Sequence, residues 1–336
     1  MNRVKIAGTG SQVPSGVITN ADLEKIVDTS DEWIVQRTGI RERRQVQGEE
    51  TCSRLSSEAA RKAMDQAGVE SEDIDLIIVG TVSGDYPFPA TACLVQDQIG
   101  AHRAGAFDVS AACSGFLYGL SVGWRMVQTG AYKNVLVIGA EVLTKLVDFE
   151  DRGSCILFGD GAGAVVLQAS EGDDQGEILS ASLFADGTQN EVIWIPVGGS
   201  RTTHSLESFE NREHLIQLDG RAVFKFAVST MRELIQRGLE ENGITADQLK
   251  LVVPHQVNLR IIEAACKKLD LREEQVFINI EKYGNTSAAS VPIALDEAHR
   301  SGLLEPGDLV LLCAFGAGLT WGNAVLRWGN VQGAKS

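Results

Sequence analysis

Short apolar, β-branched runs alternate with helical patterns along this chain, and the alternation comes twice in the same order. In the first half a strand candidate at Asp75–Val79 leads to a helix, a strand ending at Val109, a second helix, and strands at Val135–Ile138 and Ala164–Leu167. In the second half Leu251–Val253, a helix, Val276–Ile280, a helix, Leu309–Cys313 and Ala324–Arg327 follow likewise, offset by about 160–177 residues. Near-continuous apolar strands between helices indicate sheets covered on both faces. The pattern predicts an α/β fold made by duplicating one unit, with the seam near Glu171–Gly176. Residues 1–172 then form one half and 173–336 the other.

Charge narrows the partners. A net charge of −15 makes the chain a poor generic ligand for nucleic acid or an anionic membrane. An acidic partner would have to dock on a local basic patch. The six cysteines are scattered, without a CxxC pair, as for reduced thiols in a cytoplasm. MNRVKIAGTG runs straight into a strand-like segment, so no targeting peptide is expected. There is no HExxH and no metal-spaced Cys/His cluster, so no metal is expected either. Leu309–Leu326 is uncharged over 18 residues, but Gly316, Gly318 and Gly322 split it into two buried strands around a turn. Gly8-Thr9-Gly10 lacks the third glycine of a dinucleotide fingerprint, because position 13 is Val.

Three residues sit where chemistry is commonly placed. Cys113, in DVSAACSGF, follows a strand and opens a helix, where free N–H groups and the helix dipole favour a thiolate. From its context alone it is as consistent with a small core residue as with a nucleophile. His255, in LVVPHQVN, lies at the carboxyl end of a strand, whereas the other four histidines lie in polar or loop contexts. Asn285, in YGNTSAASVP, also precedes a helix, and either it or Thr286 would serve as a cap. The duplication sets this segment opposite the Cys113 turn, so a pseudo-twofold fold brings both to one interface. The final turn, AFGAGLTWG, can present backbone N–H groups to an oxyanion.

Together DVSAACSGF, VPHQVNLRII, YGNTSAASVP and DEWIVQRTGIRERR closely resemble the β-ketoacyl-[acyl carrier protein] synthase III family, from about Val4 to Trp328. The resemblance implies the thiolase-like fold, a five-layered αβαβα sandwich of two halves, each with a mixed five-stranded sheet. It implies a Cys113, His255 and Asn285 triad. Cys113 would take an acyl group from an acyl-CoA, and malonyl-[acyl carrier protein] would then lose carbon dioxide and attack it. His255 and Asn285 would hold the enolate, and the backbone N–H groups of Cys113 and Ala317 the other oxyanion. Coenzyme A enters as substrate, with no cofactor. Its contacts map onto Trp33, Arg37, Arg152, Phe224 and Asn258. The acidic carrier would dock on Gln256, Val257, Asn258, Leu259 and Arg260, joined by Lys225, Lys267 and Lys268. Arg260, Lys267 and Lys268 fall on one helical face, a spacing that an ordinary solvated face also satisfies.

Departures qualify the resemblance. Ala317 stands where the family usually has a glycine, and Gly198–Glu213 makes a longer polar loop than is usual. Phe88 matches a family residue that crosses a homodimer to floor the primer pocket, which suggests a short primer such as acetyl. The competing readings are a specialised synthase of secondary metabolism using another primer, and a non-catalytic scaffold of the same fold.

Overall fold

Two sheets with matching strand order account for the repeat. The computed structural model describes residues 1–172 and 176–331. The seam expected at Glu171–Gly176 therefore includes residues 173–175, which lie outside the described residues. The first sheet contains β1 (Val4–Gln12), β2 (Leu76–Gly80), β3 (Gly105–Val109), β4 (Val135–Val142) and β5 (Asp160–Ala169). In space they run β1-β5-β4-β2-β3. The pairs β1/β5 and β5/β4 are antiparallel, while β4/β2 and β2/β3 are parallel. The second sheet contains β6 (Glu177–Ala185), β7 (Leu249–Pro254), β8 (Leu309–Gly316) and β9 (Thr320–Arg327), in the order β6-β9-β8-β7. Its pairings repeat the pattern: antiparallel, antiparallel, parallel. Leu309–Leu326 is thus a β-hairpin, and among the described residues no helix is long and apolar enough to cross a membrane.

One expected strand does not form. Val276–Ile280 makes a single bridge, Val276 to Val252, beside which the Phe277 N–H donates to the Val252 carbonyl at 2.9 Å. A short helix then starts at Ile280. The second sheet consequently has four strands where five were expected. The physical reason lies in Pro254 and Gln256. Proline has no N–H to continue the ladder. The Gln256 side chain takes its place, donating to the Phe277 carbonyl at 3.0 Å and accepting from the Asn279 N–H at 3.1 Å.

The strands alternate between two cores, as their two-residue period requires. The main helices are α1 (Cys52–Ala67), α2 (Gly115–Gln128), α3 (Gly220–Asn242), α4 (Leu259–Cys266) and α5 (Ser290–Arg300). Phe116, Leu120 and Trp124 of α2, with Val291 and Leu295 of α5, pack between the sheets against Ile78, Val137, Val253 and Leu312. Outside the first sheet, Leu55 and Ala59 of α1 cover Ile77, Val79 and Ile138. Outside the second, Met231 of α3 and Ile261 of α4 cover Val252, Leu311 and Val325. Successive residues Val252 and Val253 thereby face opposite layers, and the result is an αβαβα sandwich. Burying each large aliphatic side chain contributes roughly 1.5–3 kcal/mol, so these cores dominate the stability.

Two glycines set how closely the halves approach. A Cβ on Gly139 would lie 2.1 Å from the Ala288 carbonyl oxygen, and one on Gly316 would lie 2.6 Å from the Cys113 nitrogen. Both positions exclude a side chain, and both hold the central turns together.

Candidate active site

The turns that open α2 and α5 face each other at the junction of the sheets. Cys113 lies in a 3-10 turn, Ala112–Ser114, directly after β3 and before α2. The matching turn, Ser287–Ala289, precedes α5. Each begins with a left-handed non-glycine residue, Ala112 at φ 45° and Ser287 at φ 49°. Such a conformation costs about 1–3 kcal/mol and persists only where its surroundings enforce it. Here the hairpin of β8 and β9 does so on one side. Ser114 Oγ donates to the Thr320 carbonyl at 3.1 Å, and Thr320 Oγ1 donates to the Ala111 carbonyl at 2.9 Å.

His255 follows β7 and is fully buried. Its N–H donates to the Cys313 carbonyl at 2.7 Å, fixing the backbone. Its Nδ1 lies 2.7 Å from Ser290 Oγ, and its Nε2 is buried without a protein partner among the described residues. The Phe315 ring meets the imidazole edge-on at 5.6 Å. Burial pushes the imidazole down to about 3, so the ring is neutral at physiological pH. The Gln256 N–H donates to Ser290 Oγ at 3.3 Å. Where the Ser290 hydroxyl donates to Nδ1, the imidazole proton sits on Nε2. Nε2 is then a hydrogen-bond donor aimed at the cavity.

Asn285 is fixed through both its backbone and its amide. Its N–H donates to the Leu157 carbonyl at 2.8 Å, and its carbonyl accepts from the Gly159 N–H at 3.0 Å. Its Oδ1 accepts from the Ser287 N–H at 2.9 Å. The residue thus caps its own turn, and the amide's NH2 is what remains for a substrate oxygen.

Cys113, His255, Asn285, Ser287 and Ala317 line one cavity of 510 Å³. The walls between them and solvent are apolar, including Leu143, Leu146, Ile156, Ile195 and Ile216. The exposed end carries Arg37, Phe224 and Arg260 together with Trp33 and Asn258. Trp33 lies under two guanidiniums, Arg37 at 4.6 Å and Arg152 at 5.1 Å. Arg260 lies 5.8 Å over Phe224. Asn258 caps α4 by accepting from the Arg260 N–H at 2.9 Å, and donates to the Arg37 carbonyl at 3.0 Å. A long apolar channel with cations at its mouth and a thiol at its base suits a thioester on a pantetheine-like arm.

Most of the other expected residues lie outside the cavity lining. Arg152 lies outside the lining and donates to the Asp28 carbonyl at 2.9 Å. Val257 lines the wall, while Leu259 packs against Gly39. Lys225, Lys267 and Lys268 are exposed, but α4 ends at Cys266, so the last two lie beyond it. The single helical face expected for Arg260, Lys267 and Lys268 therefore does not continue past Cys266. Gln256 is 1% exposed with its amide spent on residues 277 and 279, so it cannot be a docking residue. Phe88 is 85% exposed and floors no pocket of its own chain.

The thiol also differs from expectation. Burial, the largest cause, pushes Cys113 up to about 12, against a downward pull from the Ser287 hydroxyl. The nearby Glu141 carboxylate adds to the rise. Desolvation opposes the pull of the helix amino terminus and favours the protonated thiol. Glu141 and Ser287 escaped the sequence reading. The signals were a lone carboxylate inside the apolar run VLVIGAEVL and a hydroxyl two residues after Asn285.

Comparison with known proteins agrees with this geometry. Residues 107–187 match the family model for 3-oxoacyl-[acyl-carrier-protein] synthase III, and residues 239–328 match the model for its C-terminal region. The chain is 52% identical over 323 residues to the β-ketoacyl-[acyl-carrier-protein] synthase III of Caldanaerobacter subterraneus, covering 96% of this chain and 97% of that one. It belongs to the β-ketoacyl-[acyl-carrier-protein] synthase III family. The crystal structure of a synthase III from Aquifex aeolicus superposes with a TM-score of 0.88 at 48% identity, covering 97% of this chain and 100% of that one. A priming β-ketosynthase from the R1128 polyketide pathway gives a TM-score of 0.88 at 35% identity, covering 98% and 97%. The synthase III fold explains why the second half keeps the strand order of the first.

Proposed function

We propose that Cys113, His255 and Asn285 are the working triad of an acyltransferase that begins type II fatty-acid synthesis. The observation that carries this is their convergence at the base of one apolar channel with cations at its mouth. Cys113 takes the primer from an acyl-CoA as a thioester, releasing CoA. Malonyl-[acyl carrier protein] then enters, and its thioester oxygen accepts from His255 Nε2–H and the Asn285 amide. These two donors stabilise the enolate as carbon dioxide leaves. The enolate carbon attacks the Cys113 acyl group. The N–H groups of Cys113 and Ala317 hold the oxyanion, and collapse gives the 3-oxoacyl-[acyl carrier protein]. Decarboxylation supplies the carbanion, so the chemistry calls for no metal or other cofactor.

Trp33, Arg37 and Arg152 bind the nucleotide end of CoA, with Phe224 and Asn258 along the arm. The carrier docks around Arg260, with Lys225 beside it on α3. A homodimer in the cytoplasm is supported by the exposed Phe88, the open edge of β3 and the unpaired cysteines. Phe88 of each subunit then reaches the other's primer pocket, and acetyl is the primer. The test is a panel of acyl-CoA primers with intact-mass detection of the adduct. Acetyl should add one acyl group, mapped to Cys113. An adduct elsewhere, or formed only from long primers, would overturn the reading.

A further inference from the structure

With its Nδ1 engaged by Ser290 and its ring held neutral by burial, His255 is a weak acceptor for the thiol proton of Cys113. Resting on the function proposed above, we propose that this proton passes through the Ser287 hydroxyl to Glu141. Ser287 is then a catalytic residue for primer loading and Glu141 the positioning residue behind it.

The turns that carry Cys113 and Ser287 pack against each other and both residues line the same cavity, and Ser287 Oγ donates to Glu141 Oε1 at 3.0 Å. Glu141 Oε2 accepts from the Val82 N–H at 3.1 Å, from Thr81 Oγ1 at 3.3 Å and from Ser83 Oγ. The carboxyl is fully buried and held by neutral donors. Burying a carboxylate this way is costly, and burial pushes it up to about 7. A base of that strength is suited to proton transfer near neutral pH, whereas His255 is far weaker. Its titratable neighbours are the thiols of Cys113 and Cys52, with Asp85 and Asp108 close to Cys52. Both thiols are pushed up by burial and stay protonated near neutrality.

The step balances within the site. The Ser287 proton moves to Glu141 Oε1 as the Cys113 proton moves to Ser287 Oγ. The sulfur pair forms the new C–S bond at the acyl-CoA carbonyl, and the C=O pair moves onto oxygen. Collapse breaks the C–S bond to CoA. Glu141 then returns the proton through Ser287 to the departing sulfur, giving CoA thiol and an ionised carboxylate again.

The experiment measures the two half-reactions separately in the full-length enzyme. Acylation by acetyl-CoA is followed by rapid quench and intact mass, and decarboxylation by release of labelled carbon dioxide from malonyl-[acyl carrier protein]. Ser287→Ala and Glu141→Gln should each slow acylation about 100-fold. Decarboxylation should stay near the parental rate, and Glu141→Asp should recover part of the loss. The parental acylation rate should fall as pH drops through about 7, where Glu141 takes up its proton. Glu141→Gln should lack that fall. If Glu141→Gln misfolds, Ser287→Ala, the smaller change, decides. Parental acylation in Ser287→Ala would overturn the relay, as would equal loss of both half-reactions with no recovery in Glu141→Asp. A parental enzyme that takes no acyl group on Cys113 would instead sink the triad assignment.

Discussion

The turn before α2 and the turn before α5 are the same piece of backbone used for two purposes. Both follow the edge position of their sheet, both start with a left-handed residue, and both lead into a helix of the central layer. In the first half that edge position is a full strand, β3, which delivers Cys113. In the second it has shrunk to the bridge at Val276, with the Gln256 amide replacing the ladder. The turn survived the loss of its strand. What the sandwich preserves is therefore the meeting of two turns, and the sheet edge behind each is adjustable.

The largest test of this comparison asks whether the turns are interchangeable. Ala112 and Ser287 match in backbone, so Cys113 is matched by Ala288. Cys113→Ala should lose acyl transfer on the order of 10⁴-fold or more. Adding Ala288→Cys to it should restore nothing, since position 288 is fully buried and outside the cavity lining. An acyl adduct at position 288 in the double variant, by intact mass, would mean the turns are chemically equivalent.

His255→Ala comes next. It removes a donor that belongs to the second half, so malonyl decarboxylation should fall about 10²–10³-fold. Acylation of Cys113 should stay within a few-fold, because the thiol proton leaves by Ser287 and not by the imidazole. Rapid-quench rates that fall together would merge the two functions that the comparison separates.

Much of this was legible in the sequence. The repeat predicted a duplicated α/β unit with covered sheets because buried strands cannot hide their apolar runs, the strand–turn–helix contexts made Cys113, His255 and Asn285 candidates, and the resemblance supplied the sandwich and the triad. Val276–Ile280 was misread as a strand because its composition suits one. What cancels it is Pro254 and the Gln256 amide, some twenty residues away, and pairing across that distance leaves no local pattern. The same event hid that Gln256 is structural. Glu141 was passed over because a charge in an apolar strand gains meaning only from its partners. Those partners, Thr81 and Ser83 on one side and Ser287 on the other, come from two distant segments.

The channel mouth offers a smaller effect. Arg260→Glu should raise the KM for malonyl-[acyl carrier protein] about tenfold, since it sets like charge against an acidic carrier. It should leave a small malonyl thioester nearly unaffected. Lys268→Glu, beyond the end of α4, should do much less than Arg260→Glu. Steady-state kinetics with both substrates checks this, and equal effects of the two substitutions would mean that docking spreads along α4.

The smallest effect bears on the strain the turns share. At φ 45° Ala112 carries a Cβ penalty that glycine lacks, and its side chain has no part in the chemistry. Ala112→Gly should stabilise the protein by about 1 kcal/mol, less some unfolded-state entropy. At the matching position Ser287→Gly relieves the same strain but deletes the hydroxyl between Cys113 and Glu141. Its melting temperature should rise no further than that of Ala112→Gly, while acylation falls as for Ser287→Ala. Thermal melts beside acylation rates for the pair separate backbone from chemistry. If Ala112→Gly slowed acylation as much as Ser287→Gly, the left-handed conformation itself, and not the hydroxyl, would be what the second turn contributes.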